Sequence, residues 1–189
     1  MNQLIEHIKR FIEIDDAESA IILSYFEEKS YPKKTQLLEE GQICTTQYFI
    51  LKGCLRLYII NDKGNEQTLQ FGIENWWITD YMSLQTQHPT HFYIQTVENS
   101  QVMAIRKDAL DDLLGKVPKM ERYFRLILQK SYAASQMRIK FLYTQSAEER
   151  YHHFNSVQPE FVQRIPQYML ASYLDFSAEF MSKIRAGKV

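Results

Sequence analysis

The sequence predicts an α+β chain in which a β-rich block is set between helical segments. Three observations carry this. Turn signals recur at short intervals between residues 29 and 106, with short apolar runs between them, the pattern of an all-β sandwich or barrel. Apolar residues return at helical spacing on both sides of that block. The stretch that follows Pro118 keeps a helical period for so long that one small domain cannot bury it.

In chain order, Leu4, Ile5, Ile8, Phe11 and Ile12 give one apolar stripe, and Ile21, Ile22, Tyr25 and Phe26 give another. Asp15, Asp16 and Glu18 mark the start of the second helix. The β block has turns at Tyr31-Pro32, Glu40-Gly41, Lys52-Gly53, residues 62–65 and His88-Pro89. Strands are expected at 48–51, 55–60, 68–71, 92–97 and 101–105, with a hairpin tip at 62–65. A short helix at 107–114 is closed by Gly115 and Pro118. Pro118 then opens a helix to about Tyr143, ~40 Å long at about 1.5 Å per residue. Met120, Phe124, Ile127, Ser131, Ala134 and Phe141 make a coiled-coil-like seam along it. That seam pairs two copies of the chain or packs on the chain's own barrel. Ser146 and Glu149 form a capping box that opens a helix at 147–157. A short helix at 160–163 follows Pro159. The expected division is 1–117, 118–145 and 146–189.

Residues 165–185 carry two short helical patterns with a tight break. Pro166 suits the first helical position, and Met169, Leu170, Tyr173 and Leu174 form its apolar stripe. Asp175-Phe176 interrupts the pattern. Ser177 is a good N-cap, Glu179 suits a helix start, and Phe180, Met181 and Ile184 give the second helix a buried side. Such a pair is the signature of a helix-turn-helix, whose second helix enters the DNA major groove. An ordinary helical hairpin that packs a core is the alternative.

The residue types point further. Ile165-Pro166-Gln167-Tyr168, Ala171-Ser172-Tyr173-Leu174, Ser177, Glu179, Ser182, Ile184 and Arg185 resemble the DNA-binding end of the Crp–Fnr family of bacterial transcription regulators. Glu40-Gly41, Tyr48-Phe49-Ile50, Lys52-Gly53, Leu55-Arg56-Leu57-Tyr58 and Gly64 resemble the same family's cyclic-nucleotide-binding domain. The resemblance implies an N-terminal double-stranded β-helix jelly roll flanked by helices, then a long dimerisation helix, then a helix-turn-helix domain. There are departures. Asp175 stands where the turn usually has Gly, and Phe180 where the family more often has a smaller residue. The chain ends at Val189, so the family's β-hairpin wing is expected to be short or absent.

The resemblance assigns Gln167 and Tyr168 to phosphates, Ser177 and Ser182 to backbone or bases, Glu179 to cytosine, and Lys183 and Arg185 to phosphate or guanine. In the barrel the family's nucleotide motif is not kept. A cyclic phosphate needs backbone N–H groups at a helix start and a guanidinium, yet no Arg or Lys lies between Lys63 and Arg106. Cyclic AMP and cyclic GMP are therefore not expected to bind tightly. Trp76, Trp77, Asp80, Tyr81, Phe92 and Tyr93 are candidates for a pocket that takes an unknown small effector, or they simply fill the barrel. His88 and His91 flank Pro89 with no further ligand at fixed spacing, and His152-His153 reads as helix surface. No metal and no cofactor is called for.

Composition sets bounds. With 189 residues, 45% hydrophobic and 13% aromatic, the chain can bury real cores. Its two cysteines, Cys44 and Cys54, read as reduced thiols of a cytoplasmic protein. No apolar run reaches membrane-span length, and no signal peptide is evident. Net charge is −1. Residues 118–145 hold six basic side chains against one acidic, but residues 146–189 hold five of each. A homodimer would double the few cations available for duplex DNA. The neutral tail leaves a second possibility, a ligand-binding or protein-interaction module that no longer reads DNA. No Ser/His/Asp or Cys/His spacing and no Gly-rich phosphate loop suggests an enzyme.

Overall fold

The structure is a computed structural model that describes residues 2–186, the side chain of Arg185 excepted. Helices α1 (Gln3–Lys9) and α2 (Asp16–Ser24) lead into strands β1 (Glu27–Tyr31), β2 (Gln36–Leu38), β3 (Thr46–Lys52), β4 (Leu55–Ile60), β5 (Glu66–Gly72) and β6 (Trp77–Ile78). Helix α3 (Tyr81–Thr86), strands β7 (Tyr93–Thr96) and β8 (Ser100–Arg106) and helix α4 (Lys107–Lys116) follow. The remainder is helical: α5 (Lys119–Thr144), α6 (Ala147–Val157), α7 (Pro159–Arg164), α8 (Gln167–Tyr173) and α9 (Ala178–Arg185).

The strands form two four-stranded antiparallel sheets, ordered β1-β8-β3-β6 and β2-β7-β4-β5, the jelly-roll arrangement. Period-two alternation gives each sheet two uses. On the first sheet Phe49, Trp77, Met103 and Ile105 pack against Leu4, Ile8, Ile22, Leu113, Met120, Tyr123 and Phe124 from α1, α2, α4 and α5. Each such burial stabilises by about 1.5–3 kcal/mol. Ile50, Ile78, Val102 and Ala104 occupy the opposite face of that sheet and are also buried. Gly72 of β5 lies so close to that face that a Cβ there would sit 2.7 Å from Ile50 Cδ1. Gly53 turns β3 into β4 at φ +101°, where a Cβ would come 2.4 Å from Ser100 Oγ. Only glycine suits that turn.

The local signals behave as their chemistry requires. The Asp15 carboxylate accepts the Glu18 N–H at 2.8 Å and the Glu18 carboxylate accepts the Asp15 N–H at 3.0 Å. Ser146 and Glu149 make the same reciprocal box at the start of α6. Pro159 begins α7, its missing N–H harmless at that position, rather than preceding it. Three strands go beyond those read from the sequence. β1 is almost wholly exposed and charged, as suits an edge strand; β2 and β6 have only 3 and 2 residues.

The chain separates into two compact units, one of Met1–Tyr58 with Gln70–Gln129, the other of Ile59–Leu69 with Lys130–Val189. This differs from the three-part division of the sequence. The long helix does not stand apart: its first part belongs to the barrel unit and its remainder to the helical unit, which also takes the β4–β5 hairpin tip. The seam along α5 divides with it. Met120 and Phe124 are buried in the chain's own core and Ile127 packs against it. Ser131 and Ala134 are exposed, and Phe141 meets His153 at 4.7 Å. Leu128, Tyr132, Ile139 and Tyr143 stand exposed along the same helix.

Candidate nucleic-acid interface

In the helical unit, Met169, Leu170, Ala171 and Leu174 of α8 and its end are buried together with Met181 and Ile184 of α9. Between the two helices Asp175 takes φ +62°. The Phe176 N–H reaches the Ala171 carbonyl at 3.1 Å and the Asp175 N–H the Ser172 carbonyl at 3.3 Å. This is a Schellman turn with aspartate in the left-handed position that glycine usually fills. A non-glycine residue pays about 1–2 kcal/mol there. Two arginines stabilise the turn. Arg138 Nη2 donates to the Tyr173 carbonyl at 2.8 Å, its guanidinium lying 4.3 Å over the Tyr173 ring. Arg150 donates to the carbonyls of Leu174 at 3.0 Å, Gln145 at 2.7 Å and Asp175 at 3.4 Å. Cations therefore satisfy the open carbonyls at the C-terminus of α8.

Ser177 caps α9, its hydroxyl accepting the Phe180 N–H at 3.1 Å. Phe180 is half-buried, edge-on to Phe176 at 5.8 Å, so the large residue has a partner within the turn. Ser177, Glu179, Ser182 and Lys183 are all exposed, while Met181 and Ile184 face the unit's core. Lys183 forms no ion pair with another described residue. Gln167 and Tyr168 are exposed in the first turn of α8. The predicted Arg185 contact concerns a side chain outside the described residues, and the expected short or absent wing concerns residues beyond Ala186, also outside them.

The barrel candidates differ in their surroundings. Trp77 is core: its ring packs on Phe26, Phe49 and Phe124, and its Nε1–H donates to Tyr123 Oη at 2.8 Å. Tyr93 stacks on Tyr58 at 5.0 Å, and its hydroxyl donates to Glu40 at 3.2 Å. Phe92 is half-buried; Trp76 and Tyr81 are exposed. Asp80 is the N-cap of α3. It is 4% exposed, and its carboxylate accepts the N–H groups of Met82 at 2.9 Å and Ser83 at 3.3 Å and the Thr90 hydroxyl at 2.5 Å. The N-terminus of the short α3 is thereby filled by the chain's own anion.

The sequence counts Arg138 and Arg150 only as charges and Arg56 only as part of a family motif, and it gives Ser172 no role of its own. Arg56 is buried on β4, donating from Nε and Nη2 to Gln95 Oε1 at 3.1 and 2.7 Å and lying 4.0 Å over the Tyr58 ring. Asp80 ahead of α3 is a readable capping signal; nothing in the sequence marks the carbonyl partners of Arg138 and Arg150. Among the described residues no group of three His, Cys, Asp or Glu is placed to hold a metal, and no helix is long and apolar enough to cross a membrane. Cys44 and Cys54 are both buried.

A helix-capped jelly roll followed by a long helix and a turn-linked helix pair defines a class: a cyclic-nucleotide-binding-type barrel with a helix-turn-helix appended. The cyclic nucleotide-binding domain family matches residues 28–116, from β1 to α4. The anaerobic regulatory protein of Aggregatibacter actinomycetemcomitans is 30% identical over 139 residues, 73% of this chain and 51% of that protein. The fumarate and nitrate reduction regulatory protein of Vibrio cholerae is 30% identical over 122 residues, 65% of this chain and 48% of that protein. The chain belongs to the Crp–Fnr family, and it spans about half the length of the curated relatives it matches. Solved structures show the same fold. The c-di-GMP responsive global regulator CLP of Xanthomonas campestris has a TM-score of 0.73 at 18% identity, over 92% of this chain and 91% of that one. The catabolite activator protein of Thermus thermophilus has a TM-score of 0.59 at 20% identity, over 94% of this chain and 84% of that one.

Proposed function

We propose that this chain is a sequence-specific DNA-binding transcription regulator of the cytoplasm that works as a homodimer and carries no catalytic activity. The carrying observation is the split of α9, with Met181 and Ile184 buried while Ser177, Glu179, Ser182 and Lys183 stand open beside one another. A helix held by one face and polar on the other is what groove reading requires. Lys183 and Arg185 contact phosphate or guanine, Glu179 accepts from cytosine, Ser177 and Ser182 bond backbone or bases, and Gln167 and Tyr168 reach phosphates at the start of α8. The exposed apolar residues Leu128, Tyr132, Ile139 and Tyr143 support pairing through α5, since they recur at helical spacing along its open side. The barrel does not take cyclic nucleotide: its α3 terminus already holds the Asp80 carboxylate, which repels a phosphate.

The test uses a duplex selected by the wild-type protein from a random library. Wild-type affinity falls steeply with salt, and the Lys183→Ala, Arg185→Ala pair weakens binding and lowers the salt slope by about two. Salt-independent association, or an unchanged affinity in the pair, overturns the assignment. The first of those results would favour the second reading, an interaction module that has lost DNA, for which the charge-neutral tail speaks.

A further inference from the structure

β5 is an edge strand of its sheet, and an edge strand leaves N–H and C=O groups open to water or to another chain segment. At residues 66–69 three of these groups are taken, two by Ser172 of α8 and one by Arg138 of α5. The Thr68 N–H donates to Ser172 Oγ at 2.8 Å, and the Ser172 hydroxyl donates to the Glu66 carbonyl at 3.0 Å. The Gln67 side-chain amide donates to the Ser172 carbonyl. Arg138 Nη1 donates to the Leu69 carbonyl at 2.8 Å while its Nη2 holds the Tyr173 carbonyl. One hydroxyl thus uses both its donor and an acceptor site against the strand edge, as a paired strand would. All of these residues belong to the helical unit, and Glu66 to Leu69 are in β5 itself.

We infer that Ser172 and Arg138 form a latch that fixes the helix-turn-helix to the β4–β5 hairpin and so sets the position of α9 for DNA reading. The latch rests on the proposed function. Its members are positioning residues: they grip the end of α8 and leave Glu179, Ser182 and Lys183 open, so the latched form is the reading form. A freed helix pair must be ordered again on the duplex, and binding weakens by that cost.

Two measurements on the full chain test the latch in Ser172→Ala and in Ser172→Thr, which keeps the hydroxyl. Amide exchange at Thr68 reads the contact itself, and affinity for the duplex selected by the wild-type protein reads its consequence. In Ser172→Ala, Thr68 exchanges faster and affinity falls by about two- to ten-fold, the worth of a net hydrogen bond or so, with the salt slope unchanged because no phosphate contact is lost. Ser172→Thr restores both. Unchanged Thr68 exchange overturns the latch, and so does faster exchange with unchanged affinity. A salt slope lowered by about one makes Ser172 a phosphate contact and also overturns it. A wild-type protein that selects no duplex fails differently: it removes the DNA reading, while Thr68 exchange still reports on the contact.

Discussion

Tyr123→Phe removes one oxygen from the most enclosed polar site of the barrel unit. Tyr123 has no solvent exposure. Its hydroxyl accepts the Trp77 Nε1–H at 2.8 Å and pairs with His7 Nδ1 at 2.8 Å. Indole can only donate, so the oxygen accepts from Trp77 and its own proton is free to go to His7. Phenylalanine keeps the ring and its edge contacts with Phe11 at 5.8 Å and Phe124 at 5.1 Å, so little packing is lost. It leaves the Trp77 N–H without this acceptor and takes one partner from His7. The Trp77 N–H so stranded costs about 1–3 kcal/mol and the single bond lost from His7 about 0.5–1.5 kcal/mol more, about 2–4 kcal/mol together. In a chain of this size each kcal/mol moves Tm by about 2–4 °C, giving a drop of about 5–15 °C. Scanning calorimetry measures it, with Trp76→Phe as the exposed control, expected to shift stability by no more than about 0.5 kcal/mol. A Tyr123→Phe midpoint within about 2 °C of wild type would refute the claim that these three side chains depend on one another.

Burial also raises the hydroxyl pKa values of Tyr48 and Tyr123 above the ordinary 10.0. Below pH 10 both are neutral in the folded and the unfolded chain, and nothing is lost; above it only the unfolded chain ionises, so stability falls by about 1.4 kcal/mol per pH unit for each group. Denaturant unfolding between pH 8 and about 11.5 should be flat and then steep, and a flat profile throughout would contradict the burial. Isothermal titration with cyclic AMP and cyclic GMP should show no sub-millimolar binding, because the α3 N–H groups already serve Asp80; binding in that range would mean that the carboxylate gives way.

Most of the fold could be read because its signals are local. Asp15 with Glu18, Ser146 with Glu149 and Ser177 each act within one helical turn, so sequence spacing contains the whole interaction. β1 was missed for the opposite reason. An exposed Glu-Glu-Lys-Ser-Tyr has no apolar alternation, and only its pairing with β8 makes it a strand. The α5 seam shows a further limit: periodicity tells which side of a helix is apolar, not what covers it. Met120 and Phe124 went to the chain's own core, and the open apolar residues of the same helix lie elsewhere, at Leu128, Tyr132 and Ile139. Trp77 stands in an aromatic cluster of the sequence that suggests a pocket, but strand alternation turns it toward the helices.

The charge of the tail changes meaning once the arginines are located. Counted by residue, Arg138 and Arg150 are two of the eleven cations of residues 118–189; in the structure their guanidiniums lie against the carbonyls of Tyr173, Leu174 and Asp175. The aspartate that replaces the usual turn glycine and the two arginines are therefore one arrangement. A left-handed Asp175 costs about 1–2 kcal/mol, and hydrogen bonds from charged donors, at about 1.5–3 kcal/mol each, are large enough to offset it. The consequence for function is that few cations remain for phosphates in a single copy. On the proposed reading, affinity for duplex DNA comes from duplication of the reading helix, from Lys183 and Arg185 in each copy, and from backbone N–H groups at the starts of α8 and α9. Replacing Asp175 with glycine would ease the turn and leave that shortage untouched, whereas on the proposed reading a single copy carries only half the charge of the pair.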